Sequence, residues 1–172
     1  ELLANPHAIA VGECGLDGPS GQMDRQLTIL KAHFALARKH RKPLLMHVLR
    51  AHPQFLKLIA EEPLPEAGLL MHSYSGSAEL TPKYVRYGCH FSFAGPVTFA
   101  EARRPLDALK SVPLDRLMAE TDAPDQAPQP HRGARSEPAW LPLIIDAMER
   151  VRGEPVREAV TANARRFFGM PT

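Results

Sequence analysis

Residues 43–72 read PLLMHVLRAHPQFLKLIAEEPLPEAGLLMH, and this stretch decides the fold. An apolar run (PLLM) closes on His47, a segment of helical character around residues 53–62 follows, and a second apolar run (GLLM) closes on His72. Short continuous apolar runs bounded by glycine and proline read as strands buried on both faces, which is the habit of parallel sheets covered by helices. The same unit recurs on either side. Residues 8–12 (AIAVG) lead into Glu13, and residues 117–119 (LMA) lead into Glu120 and Asp122. In a parallel α/β barrel the strand ends converge on one rim, so Glu13, His47, His72 and Asp122, remote in sequence, are expected to meet there. Imidazole and carboxylate donors gathered in one place suit a divalent cation.

Helical patterns separate the runs. Residues 23–40 (MDRQLTILKAHFALARKH) place Leu27, Leu30, Phe34 and Ala37 at steps of three and four, one apolar stripe facing a sheet. Further helices are expected around 79–87, from 98 to about Ser111, at 139–151 with Leu141, Ile144, Ile145 and Met148 inward, and at 155–168 with Val156, Val160 and Phe167 inward. Residues 98–101 (TFAE) fit a capping box opening the fourth of the chain's helices. Gly169 fits a helix C-terminal cap. A fifth strand is expected at 91–93. The proline-rich, charged stretch 123–138 reads as a loop. With no repeat, linker or low-complexity tract, residues 1–172 read as one domain. Five strands are about three β/α units short of a closed (β/α)8 barrel of about 250 residues. The chain also opens on Glu1 rather than methionine, which supports either truncation or further residues ahead of it.

Composition excludes several classes. The 172 residues are 44% hydrophobic and 23% charged, an ordinary globular balance, and a net charge of +2 is too mild to indicate a nucleic-acid partner by itself. Cys14 and Cys89 form no CxxC pair, which argues against a zinc ribbon or disulfide framework and for a reducing compartment. No apolar run approaches the roughly 18 residues of a membrane span, so a cytoplasmic protein without membrane association is expected.

Seven blocks, taken together, resemble the TatD family of metal-dependent nucleases, a branch of the amidohydrolase-like barrels: AVGECGLD (10–17), PLLMH (43–47), MHSYSGS (71–77), FSFAGPVTF (91–99), RLMAETDAP (116–124), RGARSEPAWL (132–141) and TANARRFFG (161–169). The resemblance runs in order along nearly the whole chain. It implies a TIM-type (β/α)8 barrel of which this chain would be the C-terminal portion, about strands four to eight, and two divalent ions, with Glu13 bridging both, His47 and His72 binding one, and Asp122 binding the other. It also implies an opening strand with an HxH pair for the second ion; no HxH occurs in these residues, so a chain limited to them is expected to be impaired in hydrolysis. Gly18, Leu49 and Ser136 depart from the family's usual aromatic, arginine and asparagine, with Arg50 one residue from the missing arginine, and these changes bear on substrate preference rather than on the ligands.

The chemistry of the residues agrees with that resemblance. Such donors accept Zn²⁺, Mn²⁺ or Mg²⁺, and two ions can clamp the attacking and departing oxygens of a phosphodiester. Asp122 is the candidate to orient the water and take its proton. The forked guanidinium donors of the basic loop HRGAR (131–135) match phosphate oxygens, with a plain solvated loop as the alternative, and position within the resembled family points to Arg132 as the candidate substrate contact. Gly76 would permit a tight turn whose backbone amides face the same phosphate. The expected substrate is DNA or RNA and the expected state a monomer; a barrel hydrolase of amides or lactones, or a non-catalytic barrel remnant, are the alternatives. A lone histidine ending a strand is ordinarily a hydrogen-bonded structural residue; the parallel placement of four ligand-type ends carries the metal reading. His7, His33, His40, His52 and His90 lack such placement and read as packing or solvated groups. Glu120 reads either as a partner of a ligand or as an ion-paired rim residue. Cys14, beside Glu13, should turn the other way, toward the helices.

Overall fold

Runs of large apolar residues broken by 3.6-period segments build alternating strands and helices, and the computed structural model, which describes residues 2–171, shows that alternation. The order is β1 (Val11–Asp17), α1 (Met23–His40), β2 (Leu44–Leu49), α2 (His52–Glu61), β3 (Leu69–Met71), α3 (Thr81–Arg86), β4 (His90–Phe93), α4 (Arg103–Ser111), β5 (Leu117–Ala119), α5 (Leu141–Arg152) and α6 (Arg157–Phe167). Glu1 and Thr172, the ends of the expected single domain, lie outside the described residues. All four strand pairings are parallel and the sheet order is β1-β2-β3-β4-β5, each strand beside its sequence neighbour. That sequential order is the one a β/α barrel uses. Among the described residues the sheet is an open five-stranded arc.

The two faces of the arc differ. Leu44, Met46, Leu69, Met71, Phe91, Phe93 and Leu117 point outward and pack with Leu30, Phe34, Phe55, Tyr84, Leu109, Ile144 and Met148 of the helices in one continuous core. Each such side chain taken fully out of water contributes about 1.5–3 kcal/mol. The inner face carries a smaller cluster of Leu70, Met118 and Phe167, with Leu45, Ala164 and Phe168 against it. His47 and His72 share the alternation of Leu45 and Leu70 and therefore project from the inner face. Cys14 packs with the helical core, as its direction along the strand requires.

Three sequence expectations need correction. The first strand is not 8–12; it starts at Val11 and runs through Glu13 to Asp17. The apolar count hid it because its inner face is built from small and polar residues. Its register against β2 shifts between Val11 and Cys14, so Gly12 and Glu13 together oppose Leu45 in a bulge. Gly12 sits at φ 142, and a Cβ there would come 2.8 Å from that of Leu45, so glycine is needed for the bulge. Thr98 and Glu101 do not cap a helix. Thr98 ends a short 3-10 turn, Gly95–Thr98, and α4 begins only at Arg103. The Thr98 hydroxyl donates to the Gly95 carbonyl at 2.7 Å and accepts from the Gln129 amide at 2.8 Å, so a tertiary contact has taken the group that local capping would use. The α5 core positions are Ile144, Ile145, Ala147 and Met148, with Leu141 only partly covered.

The last helix is tied to the sheet by one buried polar side chain. Asn163 donates from Nδ2 to the carbonyls of Leu114 and Leu117, both at 2.8 Å. Beyond α6, Gly169 adopts φ 62 and the Met170 amide returns to the Arg165 carbonyl, the expected glycine termination. Replacing Asn163 with Ala leaves two carbonyls without their donor, and a loss of about 1–3 kcal/mol in unfolding free energy is expected from urea titration. An unchanged midpoint and slope would show that the two bonds do not hold α6.

Candidate metal centre

Glu13, the product of the β1 bulge, stands at the mouth between the two histidines. Its Oε1 lies 3.0 Å from His47 Nδ1 and 3.0 Å from His72 Nε2. The two imidazole centroids are 6.0 Å apart. One ligand atom from each of the three residues falls within 4.8 Å of the others, a separation a single cation can span. Close approach of the strands makes this possible. Gly15 is so tightly set against β2 that a Cβ would fall 1.7 Å from the His47 carbonyl oxygen.

Carboxylates crowd the same spot. His72 Nδ1 is 3.3 Å from Glu120 Oε1 and 3.8 Å from Asp122 Oδ1, while His47 Nε2 is 3.4 Å from Asp17 Oδ2. Glu120 also accepts the Ser73 amide, which fixes it as the partner orienting His72. Asp122 itself is outside the three-residue group; its Oδ2 accepts from Gln126, whose amide also donates to the Ser73 hydroxyl at 2.7 Å. The structure thus gathers all four expected ligand residues along one cleft of about 470 Å³, three in mutual contact and Asp122 beside His72.

The electrostatics call for a cation. Burial pulls the His72 imidazole down, but the hydrogen bond and charge of Glu120, with Glu13 and Asp122 behind, outweigh it and lift its pKa to about 9. Burial pushes the Asp122 carboxyl up; His72 counteracts this, and Glu120 and Glu13 add to the rise. The Ser20 amide holds Asp17 below the usual carboxylate range. His47 Nε2 is buried yet makes no hydrogen bond of acceptable geometry, even with Asp17 nearby. An unpartnered imidazole nitrogen among carboxylates fits a metal ion, so the donor set and its surroundings agree with the implied group.

Other expected residues fall elsewhere. Arg132 lies over the Phe99 ring, 4.2 Å from the guanidinium carbon to the centroid, and pairs with Glu101; it is not among the residues lining the cleft. Gly76 is buried where a Cβ would meet the Tyr74 hydroxyl at 2.3 Å and its ring at 2.4–2.5 Å, so packing already accounts for a glycine there. His52 is a packed residue, its Nδ1 2.8 Å from the Tyr84 hydroxyl and its pKa driven to about 4 chiefly by burial. His90 rests against Phe167, its centroid 4.9 Å away. Ser136 is buried and its hydroxyl donates to the Thr121 carbonyl at 3.2 Å, a fold role for this departure. Sequence reasoning missed Asp17 and Gln126. Period-two alternation from Glu13 through Gly15 would have found Asp17, whereas Gln126 is brought in by a loop with no periodic signal.

A parallel α/β sheet with a histidine and carboxylate cluster at its carboxyl rim defines a metal-hydrolase class of site. Residues 1–169 match the family model described as TatD related DNase, and the chain belongs to that family. It is 33% identical over 173 residues to YabD of Bacillus subtilis (strain 168), named an uncharacterized metal-dependent hydrolase, covering 98% of this chain and 68% of that protein. It is 32% identical over 182 residues to a protein of Rahnella sp. (strain Y9602) named 3'-5' ssDNA/RNA exonuclease TatD, covering 99% of this chain and 68% of that one. The crystal structure of the TatD homologue YJJV from Escherichia coli K12 superposes with TM-score 0.86 at 30% identity, over 94% of this chain and 64% of that one. A Saccharomyces cerevisiae amidohydrolase shares the fold at TM-score 0.83 and 16% identity. The chain therefore spans about two thirds of the length of these relatives.

Because the folded-state pKa of His72 is raised from 6.5 to about 9, its charge stabilises the cation-free protein fully below pH 6.5, and that contribution is lost as pH rises through 9. Urea unfolding with chelator present should show about 1–3 kcal/mol lost over that interval. Glu120→Gln should flatten the dependence; a wild-type slope in that variant would remove Glu120 as the cause.

Proposed function

We propose that this chain carries the metal-binding half of a divalent-metal-dependent phosphodiesterase acting on nucleic acid. The observation that carries the reading is Glu13 Oε1, 3.0 Å from a nitrogen of each histidine, at the mouth of the cleft. The family membership and the name of the Rahnella relative support the same chemistry. We further read the five strands as the fourth to eighth of a closed eight-stranded barrel. In that frame Glu13, His47 and His72 hold one ion, and Glu13 and Asp122 contribute to a second. Mg²⁺, Mn²⁺ and Zn²⁺ all suit such donors. When bound, the ions lower the pKa of water and offset charge on the phosphate oxygens.

The chain's own residues do the rest. Glu120 and the Ser73 amide set the His72 ring, so His72 presents Nε2 toward Glu13. Gln126 holds Asp122 Oδ2, leaving Oδ1 on the side of His72. Asp122 orients the attacking water and accepts its proton, a task suited to a carboxyl raised above its ordinary value. A cytoplasmic location and a monomeric state belong to the same proposal; among the described residues no helix is long and apolar enough to cross a membrane, and Cys14 and Cys89 are free thiols.

Asp122→Asn in the full-length protein should lower kcat about 10²–10⁴-fold while KM for an oligonucleotide stays within about threefold. Loss confined to KM would remove Asp122 from the chemistry. Chelation should abolish hydrolysis of a phosphodiester, and added Mn²⁺, Mg²⁺ or Zn²⁺ should restore it; restored cleavage of an amide in place of the phosphodiester would overturn the substrate class.

A further inference from the structure

Ser75 faces the cleft from the segment after β3, and the hydrolytic chemistry leaves it without a task. It lines the same cavity as Glu13, His47, His72 and Asp122 and stays half-buried there. Its hydroxyl donates at 2.7 Å to the carbonyl of Val48, the residue after the ligand His47. Behind it stands His52, the buried first residue of α2. His52 Nε2 lies 3.5 Å from Ser75 Oγ, and its Nδ1 lies 2.8 Å from the hydroxyl of Tyr84, fully buried in α3. Tyr74 and Tyr84 meet the imidazole edge-on, with ring centroids 6.1 and 5.8 Å away, and restrict its rotation.

The protons of this chain are fixed by the need to satisfy its buried groups. Among the described residues the Tyr84 hydroxyl meets no acceptor but His52 Nδ1, and a buried donor left unpaired is costly, so Tyr84 donates to Nδ1. Burial, with Arg104 adding to it, keeps the imidazole neutral, so its one proton resides on Nε2 and faces Ser75. A serine oxygen has one hydrogen and two lone pairs. The hydrogen is committed to Val48 and one lone pair faces His52, which leaves one lone pair for the cleft. That lone pair repels phosphate oxygens and accepts from an O–H. The O–H donors of a sugar–phosphate backbone are its sugar hydroxyls.

We propose that Ser75 is a specificity-determining contact that accepts a hydrogen bond from a sugar hydroxyl of the nucleotide beside the scissile bond, and that His52, backed by Tyr84, is the positioning residue that holds Ser75 in this accepting state. The proposal rests on the reading of the site as a nucleic-acid phosphodiesterase. A 2'-hydroxyl and the hydroxyl that ends a strand offer the same chemistry, and the test separates them.

The full-length protein with Mn²⁺ is assayed for kcat/KM on two matched pairs of oligonucleotides: ribose against deoxyribose in one sequence, and a 3'-hydroxyl against a 3'-deoxy end in one DNA strand. The hydroxyl-bearing member of at least one pair should be preferred about tenfold, the worth of one hydrogen bond, and that pair identifies the hydroxyl. Ser75→Ala and His52→Phe should each cut the preference to about twofold or less, and the double variant should cut it no further. Tyr84→Phe removes one hydroxyl and keeps the ring; it should weaken the preference too, and it supplies the answer if His52→Phe fails to fold. General damage lowers both members of a pair alike and leaves their ratio unchanged. No preference in either pair, or a preference that survives Ser75→Ala, overturns the contact and leaves the phosphodiesterase reading standing. A preference lost in Ser75→Ala but kept in His52→Phe and Tyr84→Phe overturns the positioning role. Absence of metal-dependent cleavage of every oligonucleotide removes the two readings together.

Discussion

A single carboxylate oxygen organises this molecule's site. Glu13 Oε1 touches a nitrogen of both His47 and His72, while Glu120 and Asp122 crowd the far side of His72. Four negative groups around two imidazoles repel one another unless positive charge lies among them. In the cation-free state a proton on His72 supplies part of that charge, which is why its pKa rises although burial alone would lower it. A divalent ion held by Glu13, His47 and His72 would supply more and would displace the proton. The same electrostatic need would thus be met either by a proton or by a divalent ion.

The scaffold exists to keep those groups close. Parallel strands in sequential order bring His47 of β2 and His72, the residue just after β3, onto neighbouring positions of one face. The β1 bulge then turns Glu13 toward them, and Gly12 and Gly15 let β1 approach β2 closely enough for contact. On the opposite face the large apolar core anchors the strands to helices, so the rim inherits rigidity from packing it does not share. Asn163 and the pair Phe167 and Phe168 bind α6 to the inner face from below.

The rim loop after β5 follows a different logic. It has no periodic core contacts of its own and is fastened by hydrogen bonds, Gln129 to Thr98 and Ser136 to Thr121 and Pro124. The proximity that fastens it also consumes the apparent capping box at Thr98 and Glu101, since one hydroxyl now serves the loop and one carboxylate pairs with Arg132. Local capping stabilises a helix by about 1 kcal/mol, an amount readily outweighed by tertiary contacts.

What the amino-acid order determined by itself was the alternation of strand and helix and the parallel sheet, because apolar runs and 3.6-residue stripes are written locally. The α1 helix was legible residue for residue, and the convergence of Glu13, His47, His72 and Asp122 on one cleft was legible from their place after apolar segments. The tertiary structure alone decided the rest. The start of β1 at Val11 depends on a bulge formed against β2, Asp17 and Gln126 reach the cleft through a strand register and a loop path, and Arg132 is drawn to Phe99 and Glu101. Each of these depends on which backbone lies across from which. That is a matter of packing between segments distant in sequence, and no local pattern carries it.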